Sequence, residues 1–223
     1  MRTALATGCR AWGTWAALLV PPVAVAQTPP SWVVKANVFQ PLARGYHLEA
    51  EKLWRAHPRY SLGLTAQYYR GTVTGITVRR EVQPGERVRG FGAELLPRLY
   101  FPGRNAELQS GFYLAAGPHV QRFRLNFQES GWIEYTRPDE LPLLVPALLP
   151  YTETITRYGA CALAGYQGPL ELGPLVLDFY AGMGWRHARS RSALPTSRYR
   201  TSMLDYGAQG LYFPVGFKLG VRF

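Results

Sequence analysis

The chain has 223 residues, 47% hydrophobic and 13% aromatic, with 23 Gly, 18 Pro and a formal net charge of +11. That length suits one domain or one membrane barrel, and the composition is too apolar and aromatic for a disordered chain. Beyond the N-terminus no run of about 18 or more apolar residues occurs, which argues against a lipid-spanning helix in the mature protein.

Residues 1–26 read as an export signal. Arg2 and Arg10 supply positive charge, Ala11 to Val20 is mostly apolar, and Ala24-Val25-Ala26 is a small-x-small cleavage site before Gln27. Cys9 precedes the apolar run and Ala6 stands where a lipoprotein signal carries leucine, which speaks against a lipid anchor. Cleavage removes two arginines and no acid, taking the charge from +11 to +9, and leaves Cys161 as the sole cysteine of residues 27–223. A single thiol cannot form an internal disulfide. His47, His57, His119 and His187 show no metal-ligand spacing, so neither metal nor cofactor is expected.

From residue 32 the dominant signal is period-two alternation between Gly, Pro and polar turns. Strand one sets Trp32, Val34, Ala36 and Val38 against Lys35 and Asn37. Strand two sets Tyr46, Leu48, Ala50 and Trp54 against His47, Glu49 and Glu51. Strand three sets Tyr60, Leu62, Leu64, Ala66 and Tyr68 against Ser61, Thr65 and Gln67. Strand four sets Phe91, Ala93, Leu95, Leu99 and Phe101 against Glu94 and Arg98. Strand five, about 110–127, is ambiguous, because Phe112 and Tyr113 both compete for the apolar face. Strand six carries Tyr158, Ala160, Ala162, Ala164 and Tyr166, and strand seven Leu175, Leu177, Phe179, Met183 and Trp185 opposite Asp178. The last strand alternates without a break from Leu211 to Phe223, with Lys218 and Arg222 on its other face.

Alternation alone does not separate a soluble sandwich from a membrane barrel, since both have one apolar face. Aromatic position does. With odd strands rising, the apolar-face residues at the starting end are Trp32, Trp54, Tyr60, Phe101, Phe112, Tyr166, Leu175 and Phe223; the opposite end has Tyr46, Tyr68, Phe91, Tyr158, Trp185 and Phe213. Two aromatic girdles bracketing an aliphatic band match the two membrane–water interfaces. Links near 55–58, 102–109 and 167–173 are short, whereas 72–88, 128–151 and 190–209 are long. The expectation is therefore an all-β, eight-stranded antiparallel up-and-down transmembrane β-barrel over residues 27–223, with the lumen filled by side chains.

The pattern resembles the small eight-stranded OmpA/OmpX-type barrels. Residues 46–51 (YHLEAE), 90–100 (GFGAELLPRLY) and 111–117 (GFYLAAG) resemble a family of Bacteroidetes outer-membrane barrels of uncharacterised role. The resemblance implies a Gram-negative outer membrane, and a terminal strand ending in Phe223 that the outer-membrane assembly machinery reads. It brings no catalytic residues.

Eight charges map to the lumen: Lys35, Glu49, Glu51, Glu94, Arg98, Asp178, Lys218 and Arg222. They are read as a self-neutralising salt-bridge network, against the alternative of an ion path or a proton-handling pair at Glu49 and Glu51. A hydrolytic site would need Ser, His and an acid together; His187 and Ser190 lack an acidic neighbour in sequence, and His119 lacks a serine. Cys161 is expected in the barrel wall. Arg186, Arg189, Arg191, Arg198 and Arg200 crowd the last long loop and suit phosphates, which at an outer surface belong to lipopolysaccharide. Nucleic acid is not an expected partner. The Pro/Leu-rich segment 138–150 is expected to fold over the mouth as a lid, with a hydrophobic patch offered to a partner as the alternative, and 72–88 to prolong strands three and four, leaving an edge that could pair with another protein. The functional expectation is a non-enzymatic outer-membrane protein acting in envelope structure or through its surface loops. The alternatives are a narrow pore or small-molecule carrier and, more distantly, a lipid A-modifying enzyme.

Overall fold

The computed structural model describes residues 32–54, 56–75, 78, 82, 85–101, 110–136, 141–170, 173–200 and 202–223; the signal peptide expected at 1–26 lies outside them. Strand β1 (Trp32–Asn37) and a one-turn 3-10 segment, η1 (Gln40–Ala43), lead into β2 (Gly45–Leu53) and β3 (Tyr60–Thr72). Then follow β4 (Arg87–Phe101), β5 (Gly111–Tyr135), β6 (Leu143–Pro169), β7 (Leu175–Arg191), β8 (Gly210–Tyr212) and β9 (Val215–Arg222). From β1 to β7 each strand pairs antiparallel with the next in sequence, β9 also pairs with β7, and β9 pairs back onto β1, closing the ring. β8 and β9 are two halves of one stave: Tyr212 pairs with Gly184 and Val215 with Ala181, the same register. The interruption falls at Pro214, which has no N–H to give the ladder. Its carbonyl still accepts from Gly182 N at 2.9 Å. The architecture is thus an eight-stranded up-and-down barrel of the transmembrane type.

Side chains are inverted relative to a soluble protein. The rings at both ends of the apolar face, from Trp32 and Phe112 below to Tyr46 and Trp185 above, are all exposed, while Lys35, Glu49, Glu51, Arg98 and Asp178 are buried. Strand five is settled by this: Phe112 is 68% exposed and Tyr113 1%. Two cross-strand partners show why glycine alternates on the inner face. Tyr113 lies opposite Gly165 and Tyr180 opposite Gly216. A Cβ at either glycine would sit within 2.5 Å of the tyrosine ring it faces.

The wall is uneven in height, and this corrects two expectations. The β5–β6 ladder continues to Tyr135 opposite Leu143, whereas β7 begins to pair with β6 only at Thr154 and β4 reaches β5 no higher than Asn126. Residues 143–150 are therefore half of a projecting two-stranded hairpin, not a lid. Such a hairpin has free edges, so the missing N–H groups of Pro146 and Pro150 cost no ladder bond. The second correction concerns 72–88. β3 and β4 do extend to Thr72 opposite Arg87, but beyond that pair Val73, Val78 and Glu86 are buried.

The cover of the mouth comes instead from the β7–β8 connection. Tyr199 and Tyr206 pack with Val73, Val78, Val88, Phe123, Leu125, Phe127 and Ile155 in one apolar cluster. Tyr199 meets Phe127 edge-on at 5.7 Å.

Candidate functional site

The lower lumen is a closed plug. Glu49 and Glu51 point inward from β2, Lys35 from β1, Arg98 from β4, Asp178 from β7 and Lys218 from β9, all on the inner face of the pleat. Lys35 Nζ reaches Glu49 at 3.2 Å, Glu51 at 2.6 Å and Asp178 at 2.7 Å. The Arg98 guanidinium serves the same three acids, at 2.7, 3.1 and 3.0 Å, and Lys218 reaches Glu49 at 2.5 Å. Three acids and three bases cancel. Tyr100 donates to Glu51 at 2.7 Å and Tyr113 to Asp178 at 2.6 Å, using the remaining carboxylate lone pairs. Ser61 donates to Glu51 and Lys35 to Gln167. Pairing of this kind is what makes buried charges tolerable, although the Arg98 Nε is buried without a hydrogen-bond partner.

The expected set of eight therefore splits. Six residues join the network; Arg222 lies at the lower end of β9, and Glu94 stands above the plug beside Cys161, whose thiol donates to it at 3.4 Å. Cys161 on β6, in the wall as expected, and His119 on β5 both turn their side chains to the lumen and are buried. Glu49 and Glu51 are both clamped by cations, which leaves no free proton-handling pair.

Above the plug lies a vestibule of about 460 Å³, lined by His47, Gln67, Tyr69, Glu94, His119, Gln121, Arg157, Tyr180, Arg186, Tyr206 and Tyr212. It is bordered on one side by Gln40 and Ala43 and on the other by Met203, Leu204 and Phe213 to Val215. This is the low part of the wall. β1 ends at Asn37, opposite Lys218, and the last bond from this side to β9 is Val38 N to Phe217 O at 3.1 Å. Gln121 joins the vestibule together, donating to Tyr69 at 3.0 Å and accepting from Arg157 Nε at 2.6 Å.

The arginine cluster also divides. Arg198 is bound inward, to Glu86 at 3.2 Å and to Glu129, and its guanidinium lies 5.1 Å from the Phe127 ring centroid. Arg186 faces the lumen over Tyr212 and donates to Met203 O. Arg189, Arg191 and Arg200 remain exposed. Ser190 does have an acid after all: its hydroxyl donates to Glu153 at 2.5 Å, and Glu153 also takes the Ser197 hydroxyl and Arg198 N at 3.2 Å. That carboxylate is the anchor of the mouth cover, and His187 faces away from it on the outer wall against Tyr158.

One cationic feature escaped sequence reasoning. Arg70, Arg89 and Arg124 are direct cross-strand partners on β3, β4 and β5, all exposed, with Arg87 and Arg122 beside them. The row lies two residues above Tyr68 and Phe91 of the upper girdle, about 7 Å along the strand. On β7, Arg189 and Arg191 continue it across Thr156 and Thr154. The arginines sit far apart in sequence, and only the strand register aligns them.

No protein-family model and no curated protein matches the sequence. Among solved structures, the chain is similar to Acinetobacter baumannii CarO, at 13% identity over 87% of this chain and 97% of that one, with a TM-score of 0.35. It is also similar to the β-domain of the Bordetella autotransporter Brka, at 15% identity over 87% and 98%, with a TM-score of 0.28.

Proposed function

We propose that this protein is a non-enzymatic outer-membrane β-barrel of a Gram-negative bacterium that serves envelope structure and presents a capped mouth and a tall hairpin at the cell surface. The observation that carries this reading is the inversion itself. Leu64, Leu95, Leu114, Val120 and Leu219 are exposed between two rings of exposed aromatics, around a buried charge network. An apolar exterior is stable in lipid and unstable in water, and closure of the barrel leaves no unpaired edge within the bilayer.

Two partners follow from the same surfaces. Arginines placed directly opposite one another repel unless an anion lies between them. The row at Arg70, Arg89 and Arg124 stands at the level of lipid headgroups, so lipopolysaccharide phosphates are its counter-anions. The assembly machinery is the second partner, through the exposed Phe223 that ends the closing strand. The vestibule gives the carrier alternative its one specific support: it is a cavity of about 460 Å³ beside the low part of the wall, over a floor that the charge network closes.

Fractionation of the cell envelope, followed by gel electrophoresis with and without boiling, tests the reading. Recovery in the outer membrane with a mobility shift on boiling is expected. A protein found in periplasmic extract, with no shift, would overturn it.

A further inference from the structure

We propose that Glu94, His119 and Cys161 form a binding site for a borderline transition-metal ion, Zn2+ above all, at the base of the vestibule. Three adjacent strands bring them together. Glu94 on β4 is the direct partner of His119 on β5, and Cys161 on β6 lies opposite Gly117, one inward position from His119. Their ligand atoms all fall within 4.8 Å of one another. Cys161 Sγ and Glu94 Oε1 are 3.4 Å apart. Bonds of about 2.3 Å to sulfur and about 2.0 Å to oxygen at the tetrahedral angle require an edge of about 3.5 Å, so that edge is already set.

The donor chemistry selects the ion. A thiolate, an imidazole and a carboxylate favour Zn2+ and its neighbours over Ca2+ or Mg2+, which want oxygen alone. Binding displaces the thiol proton that Cys161 now shares with Glu94, and that proton leaves to solvent. Two anionic donors then neutralise the dication, so the nearby cations Lys218, Arg157 and Arg186 face a neutral centre. Among the described residues no ion pair engages Glu94, whereas Glu49, Glu51 and Asp178 are all held by Lys or Arg. The Tyr212 hydroxyl lies 3.2 Å from His119 Nδ1, the kind of outer contact that fixes a ligating ring. Glu94 and His119 line the vestibule with Cys161 behind them, so the fourth position opens to the cavity, where water or a small anion binds.

The test is a titration of the folded, detergent-solubilised barrel with Co2+, a spectroscopic stand-in for Zn2+. A single equivalent is expected to bind, with a sulfur-to-cobalt charge-transfer band that Zn2+ bleaches. C161S is expected to lose that band, and E94Q and H119A to bind at least about 100-fold more weakly, the upper end of what an outer contact alone is worth. Absence of the band in the unaltered barrel, or its persistence in C161S, would overturn the site. The mobility shift on boiling confirms that each variant is folded. Should a variant not fold, X-ray absorption at the zinc edge of the Zn2+-loaded unaltered barrel decides: one sulfur ligand at about 2.3 Å is expected, and a shell of nitrogen and oxygen alone would overturn the site.

Discussion

Arg98 is the residue on which the lower lumen turns, because its one guanidinium joins three acids from β2 and β7 that the two lysines, Lys35 and Lys218, leave under-compensated. Removing one partner of a buried ionic cluster costs about 3–5 kcal/mol, since the charges left behind have no water to turn to. R98M is therefore expected to unfold at markedly lower denaturant, measured by the loss of heat-modifiable mobility across a urea series. Adding E51Q to R98M is expected to restore part of the loss, because it removes one of the stranded charges. A double variant no more stable than R98M would show that the two residues act independently.

At the scale of elements, the mouth cover and the hairpin are expected to respond in opposite ways to truncation. Tyr199 is fully buried, and its ring ties the β7–β8 connection to Phe127 on β5 and packs on Tyr206 of the same connection. Truncating a buried aromatic costs about 3–5 kcal/mol, here charged against the cover alone because its strands pair elsewhere. Y199A is expected to make residues 192–209 sensitive to protease added outside, with the barrel left intact. Among the described residues the hairpin above Gln128 and Pro150 has no strand partner beyond its own two strands, and Arg198 holds Glu129 at its base. Replacing residues 130–148 by a short turn is expected to leave the unfolding midpoint within the scatter of surface substitutions, about 0.5 kcal/mol. A large loss of barrel stability on that deletion would mean the hairpin packs against something other than itself.

For the whole molecule, the bilayer is the solvent and sets the sign of each substitution. Leu64 lies midway between Tyr60 and Tyr68 on the outer face and is 53% exposed. L64R is expected to destabilise the folded barrel in lipid vesicles by about 2–4 kcal/mol, the cost of a cation at the membrane midplane. In a water-soluble protein the same change at an exposed site would be nearly silent. The plug of charges and tyrosines also predicts electrical silence. Purified protein in a planar bilayer is expected to give no steady discrete conductance, and stable channels would show that the floor of the vestibule opens.

The sequence by itself determined the strands, their faces and the closed ring, because in a barrel each side chain's side is fixed locally by period two and each girdle by the few residues at a strand's ends. Its one ambiguity, at Phe112 and Tyr113, arose because both are aromatic; inside, Tyr113 has Asp178 to bond, and Phe112 has no polar group to satisfy. What only the tertiary structure decided are the relations between strands. Pro and Leu between 138 and 150 suggest a lid to a reader of composition, yet the register shows that the chain continues the β6 ladder there. Arg198 looks like a surface cation until the fold sets Glu86 and Glu129 beside it. The Arg70, Arg89 and Arg124 row and the Glu94, His119 and Cys161 cluster are invisible along the chain for one physical reason. Their members meet across strands, and register and shear, which no single strand records, place them side by side.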